Sequence, residues 1–297
     1  MAQISEAQSQ VTGRRRTAPF AWRSYLGSGV THFLLISIAA LFFLPFLWLI
    51  ITSLKMESQV FTTPPTWIPN PIQWQNYPDA LTSPAFPFAQ LMGNTLFYVI
   101  TSTIGIVISS AVVAYAFARL SFPGRDLLFA ITLATMMLPG IVLLIPTYVL
   151  FQRFGWVGSY APLIVPTFFG NAFNIFLLRQ FMMTIPWDIS DSAKVDGAGE
   201  FTILLRIMLP LLKPALMVVA VFHFMYAWND FLGPLIYLDD SSRYPLVLGL
   251  YAFQQRFTVE WHLMMAAALA TTAPLIVLFF VAQRYFVEGI TLSGLKG

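Results

Sequence analysis

The chain has 297 residues, of which 58% are hydrophobic and only 10% charged, and its mean hydropathy is +0.73. A soluble domain carries about 25% charged residues, so this composition describes a polytopic membrane protein with no room for a second globular unit. The net charge of +3 is too small and dispersed to argue for nucleic acid, and the absence of cysteine excludes disulfides, thiol catalysis and cysteine-based metal sites.

Residues 1–30 are polar, with Arg14, Arg15, Arg16 and Arg23 ahead of any apolar run. Paired arginines invite a twin-arginine export signal. The apolar stretch that follows is too long for a signal core and no small-residue cleavage site follows it, so a retained cytoplasmic tail is expected. A bilayer core takes about 20 apolar residues. Nothing charged lies between Arg23 and Lys55, which places a first span at His32–Leu54. The same rule gives a second span at Leu91–Ala118, a third between Asp126 and Arg153 and a fourth between Arg153 and Arg179. A fifth follows Lys213 and a sixth lies between Glu260 and Arg284. The predicted fold class is all-α, a polytopic membrane protein with six transmembrane helices.

Lys and Arg number twelve across the N-terminal tail, the second-to-third loop, the Arg179–Lys213 region and the C-terminal end. The opposite side holds four, namely Lys55, Arg153, Arg243 and Arg256. The positive-inside rule then puts both termini in the cytoplasm. Residues 1–30 are expected as an N-terminal tail, 31–290 as the transmembrane domain with a cytoplasmic loop at 186–210, and 291–297 as a C-terminal tail.

The first external loop, residues 55–90, carries Pro64, Pro65, Pro69 and Pro71 with Trp67 and Trp74, tryptophans expected at the lipid headgroups. Gly105 and Ser109 have the spacing that lets two helices approach closely, and Ala266, Ala267 and Ala270 give the sixth span a similar small face. Both faces are expected against other helices rather than lipid. Pro139, Pro146, Pro162 and Pro166 are expected to kink the third and fourth spans, either as packing or as joints of an alternating-access cavity.

The most charged stretch of the second half runs from Pro186 to Pro214. Pro186 suits a first helical turn, where its missing N–H costs nothing, and Asp188 and Asp191 sit near the positive end of that helix. Gly197 can end it by adopting the left-handed conformation, and Phe201–Leu209 reads as a second helical piece before Pro210. Ile189, Ala193 and Gly197, four apart, make a narrow face that fits a groove.

This stretch resembles a known motif. Asp191-Ser192-Ala193, then Gly197 after three residues, then Ile207-x-Leu209-Pro210 is similar to the coupling loop of ABC importer permeases. Asp191 stands where the usual form has Glu, and Ser192 where it has Ala. Asp196-Gly197-Ala198 is the triplet seen in sugar permeases of that kind. Ala118–Arg125, Trp228-Asn229-Asp230-Phe231 and Gly289–Gly297 extend the likeness from about the first span to the last residue. The subtype resembled is the smaller of two paired permeases in maltose-permease-like carbohydrate importers.

The resemblance implies a type I ABC importer fold in a bacterial or archaeal plasma membrane. It also implies a second homologous permease, two ATP-binding cassette ATPase subunits and an extracytoplasmic substrate-binding protein as partners, with membrane lipid around them. Asp191, Ser192, Ala193, Asp196, Gly197, Ala198, Ile207, Leu209 and Pro210 would couple to the ATPases. The loop Leu238–Trp261, with Asp239, Asp240, Arg243, Tyr244, Tyr251 and Gln254, would meet the binding protein. A carbohydrate is the implied solute, with a polyol or glycerol phosphate as the alternative.

The chain has no phosphate-binding loop of the ATPase type, no H-E-x-x-H and no G-x-S-x-G. His32, His223 and His262 are scattered. Neither an enzyme, a cofactor nor a metal site is expected. Asp230 lies sixteen residues after Pro214, roughly 24 Å along a helix. An acid at that depth is expensive unless paired or wet. One reading makes Tyr226, Trp228, Asn229 and Asp230 part of a substrate pathway. The other, favoured for Asp230, has it cap a helix or pair with the partner permease. A secondary transporter would need internal repeats and more than one intramembrane acid, and neither is visible.

Overall fold

The computed structural model describes residues 21–254 and 260–294, with side chains over 29–254 and 260–283. The arginine run Arg14–Arg16, Arg256 (expected on the external side) and the terminal Leu295–Gly297 lie outside the described residues. The chain forms two compact units, one ending at Leu49 and one from Ile50 onward. The first is the greater part of helix α1 (Ala21–Ser53), which begins well before the predicted span. Charge-free windows mark the part of a helix that sits in lipid, not where the helix starts. From Phe33 to Leu44 its large apolar side chains are exposed, as a lipid-facing helix requires.

The second unit opens with α2 (Asn76–Thr82) and the long α3 (Phe88–Arg119), followed by α4 (Arg125–Thr135), α5 (Gly140–Arg153) and the single turn α6 (Ala161–Ile164). A 3-10 stretch, Val165–Phe169, leads to α7 (Ala172–Thr184), and α8 (Trp187–Val195) comes next. Helices α9 (Glu200–Ile203) and α10 (Leu209–Leu211) are joined by a π-helical turn, Leu204–Met208. The chain closes with α11 (Lys213–Trp228), α12 (Leu232–Tyr237), α13 (Leu246–Gln254) and α14 (Trp261–Gly294). No strand occurs among the described residues.

Among the described residues, four helical segments are long and apolar enough to cross a membrane: Gly29–Ser53, Phe88–Arg119, Ala161–Thr184 and Trp261–Gln283. Two further spans are broken. Arg125–Thr135 and Gly140–Arg153 meet at 99°, and Glu200–Leu211 and Lys213–Trp228 meet at 78°. Counting each bent pair as one span gives the expected six. The bends have chemical causes. Pro139 is extended (φ −62°, ψ 128°) and caps α5, and a residue preceding proline avoids the helical region. Pro214 sits in the first turn of α11, where a missing N–H is harmless. Pro162 and Pro166 likewise start helical turns rather than kinking a continuous helix, and Pro146 is accommodated inside α5.

Helix α3 threads two apolar cores. Its C-terminal half packs with α7, the α8–α10 region and the start of α11 around Leu178, Met182, Ile203 and Met208. Its N-terminal half packs with α2, α6, α13 and α14 around Phe86, Val99, Leu246 and Ala266. Gly105 explains how close these layers come. A Cβ built there would lie 2.5 Å from Thr167 Oγ1 and 2.8 Å from the Phe168 ring. Ser109 Oγ donates to Thr167 O at 2.8 Å across the same contact. The small face of the second span is therefore covered by this chain's own Val165–Phe169 stretch. On α14, Ala266 and Ala267 are fully buried in the same way.

Candidate functional site

Three places in the second unit carry chemistry, and the first is the turn after α8. Gly197 has φ +83°, a conformation that glycine adopts without strain. Gly197 N–H donates to Lys194 O at 3.0 Å and Ala198 N–H to Ala193 O at 2.9 Å, the paired bonds of a Schellman cap. Ala193 itself is only 8% exposed and packs with Ile203, Leu204 and Met208. The expected groove-entering face of Ile189, Ala193 and Gly197 is thus split. Ala193 faces inward, while Ile189, Asp191, Ser192, Asp196 and Gly197 face out. Ala198, Ile207 and Leu209 pack against the core, and Pro210 is exposed. Two apolar side chains flank the turn in full view, Val195 at 87% and Phe201 at 72% exposure.

The turn is fastened to α3 by groups that the motif does not contain. Tyr115 Oη donates to Glu200 Oε2 at 2.5 Å, and Glu200 Oε1 pairs with Lys194 Nζ at 2.8 Å. The hydrogen bond from Lys194, then that from Tyr115, holds the Glu200 carboxyl below its usual range, and the same contact raises Lys194. Buried Arg119, in the last turn of α3, donates through Nη2 to Met182 O and Ile185 O, both at 2.6 Å. Its guanidinium carbon also lies 4.6 Å over the Trp187 ring at the start of α8. One cation therefore closes the C-terminal end of α7 and seats α8, as expected where helix carbonyls lack partners. Arg179 adds a bond from Nε to Phe117 O at 3.3 Å and stacks 4.2 Å over Phe129. Sequence reading missed Tyr115, Arg119 and Glu200. The available signal was a charged or phenolic group ending an apolar span beside the loop.

The second place is a cleft of about 820 Å³ between α3, α5, the 162–174 segment, α11 and α12. Tyr226 and Asp230 line it together with Tyr98, Phe222, His223 and Tyr237. Asp230 accepts from Tyr98 Oη at 2.9 Å and from Gly233 N–H at 3.0 Å. It therefore caps the start of α12, as the structural reading expected, and also faces the cleft. The other two expected pathway residues are placed elsewhere. Trp228 is 2% exposed, stacks on Phe224 at 5.5 Å and sits in the core. Asn229 turns its amide back to Met225 O at 2.7 Å. A helical stagger of 100° per residue sends neighbours of a lining residue to other faces.

The third place is the far end of the bundle, between α12 and α14. Asp240 accepts from Ser242 N–H at 2.8 Å and shapes a short turn with Asp239, Asp240 and Arg243 exposed. That turn is stapled to α3, because Gln90 Nε2 and Asn94 Nδ2 donate to Ser242 O at 2.6 and 2.8 Å. Arg243 Nη1 donates to Gly158 O, and Tyr160 Oη donates to Arg243 O at 2.5 Å. The expected loop Leu238–Trp261 is not all loop. Its apolar run folds as α13, burying Leu246, Leu248, Gly249 and Phe253, since nine residues are too short to span but long enough to cover the core. Tyr244 is half-buried, Gln254 is exposed, and Tyr251 sets its ring edge-on to Phe231 at 4.9 Å.

Residues 110–292 match the family described as binding-protein-dependent transport system inner membrane component. The chain is 29% identical over 287 residues to the arabinooligosaccharides transport system permease protein AraQ of Halalkalibacterium halodurans, covering 96% of this chain and 100% of that one. It is 32% identical over 268 residues to the sn-glycerol-3-phosphate transport system permease protein UgpE of Yersinia pestis, covering 88% and 95%. It is 29% identical over 260 residues to the diacetylchitobiose uptake system permease protein NgcG of Streptomyces coelicolor, covering 86% and 85%. A solved chain from a bacterial ABC transporter for the acidic polysaccharide alginate shares the fold, with a TM-score of 0.78 at 24% identity over 90% of this chain and 99% of that one. The family match over most of the chain, on a helical bundle of this fold, means that this protein belongs to the binding-protein-dependent transport system inner membrane components and is a membrane-embedded permease subunit of an ABC transporter, a transport component rather than an enzyme.

Proposed function

We propose that this permease imports a carbohydrate, forming one side of the translocation pathway with a second, homologous permease. Of two ATP-binding cassette subunits, one docks on the turn between α8 and α9, and an extracytoplasmic binding protein delivers solute at the Leu238–Trp261 end. Both termini are cytoplasmic in this reading. The named solutes of its relatives, arabinooligosaccharides and diacetylchitobiose, support a carbohydrate, and glycerol phosphate is the alternative.

The observation that carries the reading is the construction of the turn. It exposes an apolar pair, Val195 and Phe201, that a soluble surface would hide, on a cap locked to α3 and α7 through Glu200 and Arg119. A partner seated on that pair moves the helices with it, which is what transmission of ATP-driven closure requires. Basic residues favour this end too, with Arg119, Arg125, Arg179, Lys194, Arg206 and Lys213 assigned to it by the charge count against Lys55, Arg153 and Arg243 at the other, in keeping with a cytoplasmic turn.

The test is co-purification and transport. The chain expressed with a partner permease, ATPase and binding protein is expected to form a complex that takes up an oligosaccharide with ATP. Val195→Cys is expected to cross-link to the ATPase. A transport-active homo-oligomer purified without other subunits would overturn the proposal.

A further inference from the structure

The cleft between α3, α5, α11 and α12 has a one-sided charge. Among the described residues Asp230 is the acid in its lining, His223 lines it as well, and no Lys or Arg does. The carboxylate is held by design of the backbone. A Cβ on Gly233 would lie 2.6 Å from Asp230 Oδ2, so only glycine leaves room for the carboxylate where it sits. Both oxygens already accept one bond each, from Tyr98 Oη and Gly233 N–H. A carboxylate has about four acceptor positions, so roughly two remain for a guest. Phe222 and Tyr226, one turn apart on α11, set aromatic surface on the same wall, and Tyr226 is 69% exposed.

We infer that this cleft is a subsite for polyhydroxylated solutes that carry no negative charge, and that Asp230 makes it select against anions. Sugar hydroxyls donate to the unfilled lone pairs of Asp230, and the apolar face of a pyranose lies on the Phe222 and Tyr226 rings. A phosphate or carboxylate entering between these low-dielectric walls meets a like charge with no Lys or Arg among the described lining residues to offset it. The inference rests on the reading of the chain as one side of an import pathway. Within that reading it separates a neutral carbohydrate from glycerol phosphate or a uronate.

The test uses the absence of cysteine from the chain. Tyr226→Cys puts a single thiol on the cleft wall, and Ile68→Cys puts one on an exposed segment as control. Modification rates are measured in the assembled transporter with two methanethiosulfonate reagents, one bearing an ammonium and one a sulfonate. The ammonium-to-sulfonate rate ratio is expected to be about tenfold higher at 226 than at 68. Adding Asp230→Asn is expected to bring it back to the control value. The comparison of the two positions needs no change at Asp230, so it stands even where Asp230→Asn fails to assemble. Equal ratios, or a ratio at 226 that Asp230→Asn leaves unchanged, overturn the inference. ATP-driven uptake of glycerol 3-phosphate as fast as that of arabinotriose overturns it as well, and leaves the import reading standing. Failure of the import reading itself looks different: the assembled transporter, with no substitution, would take up neither arabinotriose nor glycerol 3-phosphate with ATP.

Discussion

Gly197 and Arg119 show two ways in which a single residue fixes the turn after α8. At Gly197 the backbone is left-handed and a Cβ would meet nothing within 4 Å, so a side chain there is penalised by strain and not by collision within the chain. That strain is on the order of 1–2 kcal/mol, enough to tilt the turn and too little to unfold the bundle. Gly197→Asp is therefore expected to insert at normal membrane levels while ATPase co-purification weakens and uptake is lost. Gly197→Ala isolates the strain and is expected to lose uptake only in part. Asp191→Ala, on an exposed position, is expected to be milder than Gly197→Asp. Normal uptake by Gly197→Asp at normal expression would mean that the turn does not transmit. Arg119 is the opposite case, a buried cation whose removal takes a donor from Ile185 O and leaves Met182 O with only the Ile185 N–H. Arg119→Met keeps much of the volume and loses both charge-assisted bonds, a loss of about 3 kcal/mol. It is expected to lower the thermal midpoint of the purified complex as well as uptake, which Gly197→Asp is not. Gly197 was legible in the sequence because a left-handed turn demands glycine. Ala193 was misread because helical spacing shows which residues share a face but not what covers that face.

At the scale of elements, the link between α3 and the α8–α9 turn runs through Tyr115, Glu200 and Lys194. Part of it is exposed: the Lys194 and Glu200 side chains are 44% and 43% accessible, so solvent weakens the ion pair and the Tyr115 bond is the stiffer part. Glu200 has a lowered pKa, so its contribution is complete above the ordinary value of 4.5 and is lost as pH falls through the lowered one. Lys194 has a raised pKa, so its contribution is complete below 10.5 and is lost as pH rises through the raised one. Solute imported per ATP hydrolysed is therefore expected to be flat from about pH 5.5 to 9, as far as this clamp sets it. Tyr115→Phe removes the phenol without creating a cavity. It is expected to leave ATPase binding intact and to reduce solute imported per ATP several-fold. A normal transport-to-hydrolysis ratio in both Tyr115→Phe and Glu200→Gln would show that the clamp is not part of the transmission. The Tyr115–Glu200 pairing was not legible, because it joins residues 85 apart on elements whose mutual approach is set by packing. The bent spans were only half legible: Pro139 announced a break, but its 99° angle depends on what α4 and α5 lean against.

For the whole molecule, the charge count along the sequence predicts which side each loop meets. Apolar windows located each span because a bilayer core sets one length scale. They did not reveal α13, which is too short to cross and is defined by the core it covers. They also did not reveal that the small faces around Gly105 and Ala266 are closed by this chain's own helices. Sidedness is the property left to measurement, and the cysteine-free chain makes that direct. Ser241 and Ser192 are both exposed, the first on the turn stapled to the N-terminal end of α3, the second beside the clamp at its C-terminal end. A helix of 32 residues spans about 48 Å, more than the roughly 30 Å of a hydrocarbon core, so the two positions must emerge on opposite faces. Ser241→Cys is expected to react with an impermeant maleimide from outside intact cells, and added binding protein is expected to slow that reaction. Ser192→Cys is expected to react only in inverted vesicles, and bound ATPase is expected to shield it. Reaction of both from the same side would overturn the span count through α3. Reaction of each from the opposite side to that expected would invert the molecule, leaving the turn after α8 where no cytoplasmic ATPase can reach it.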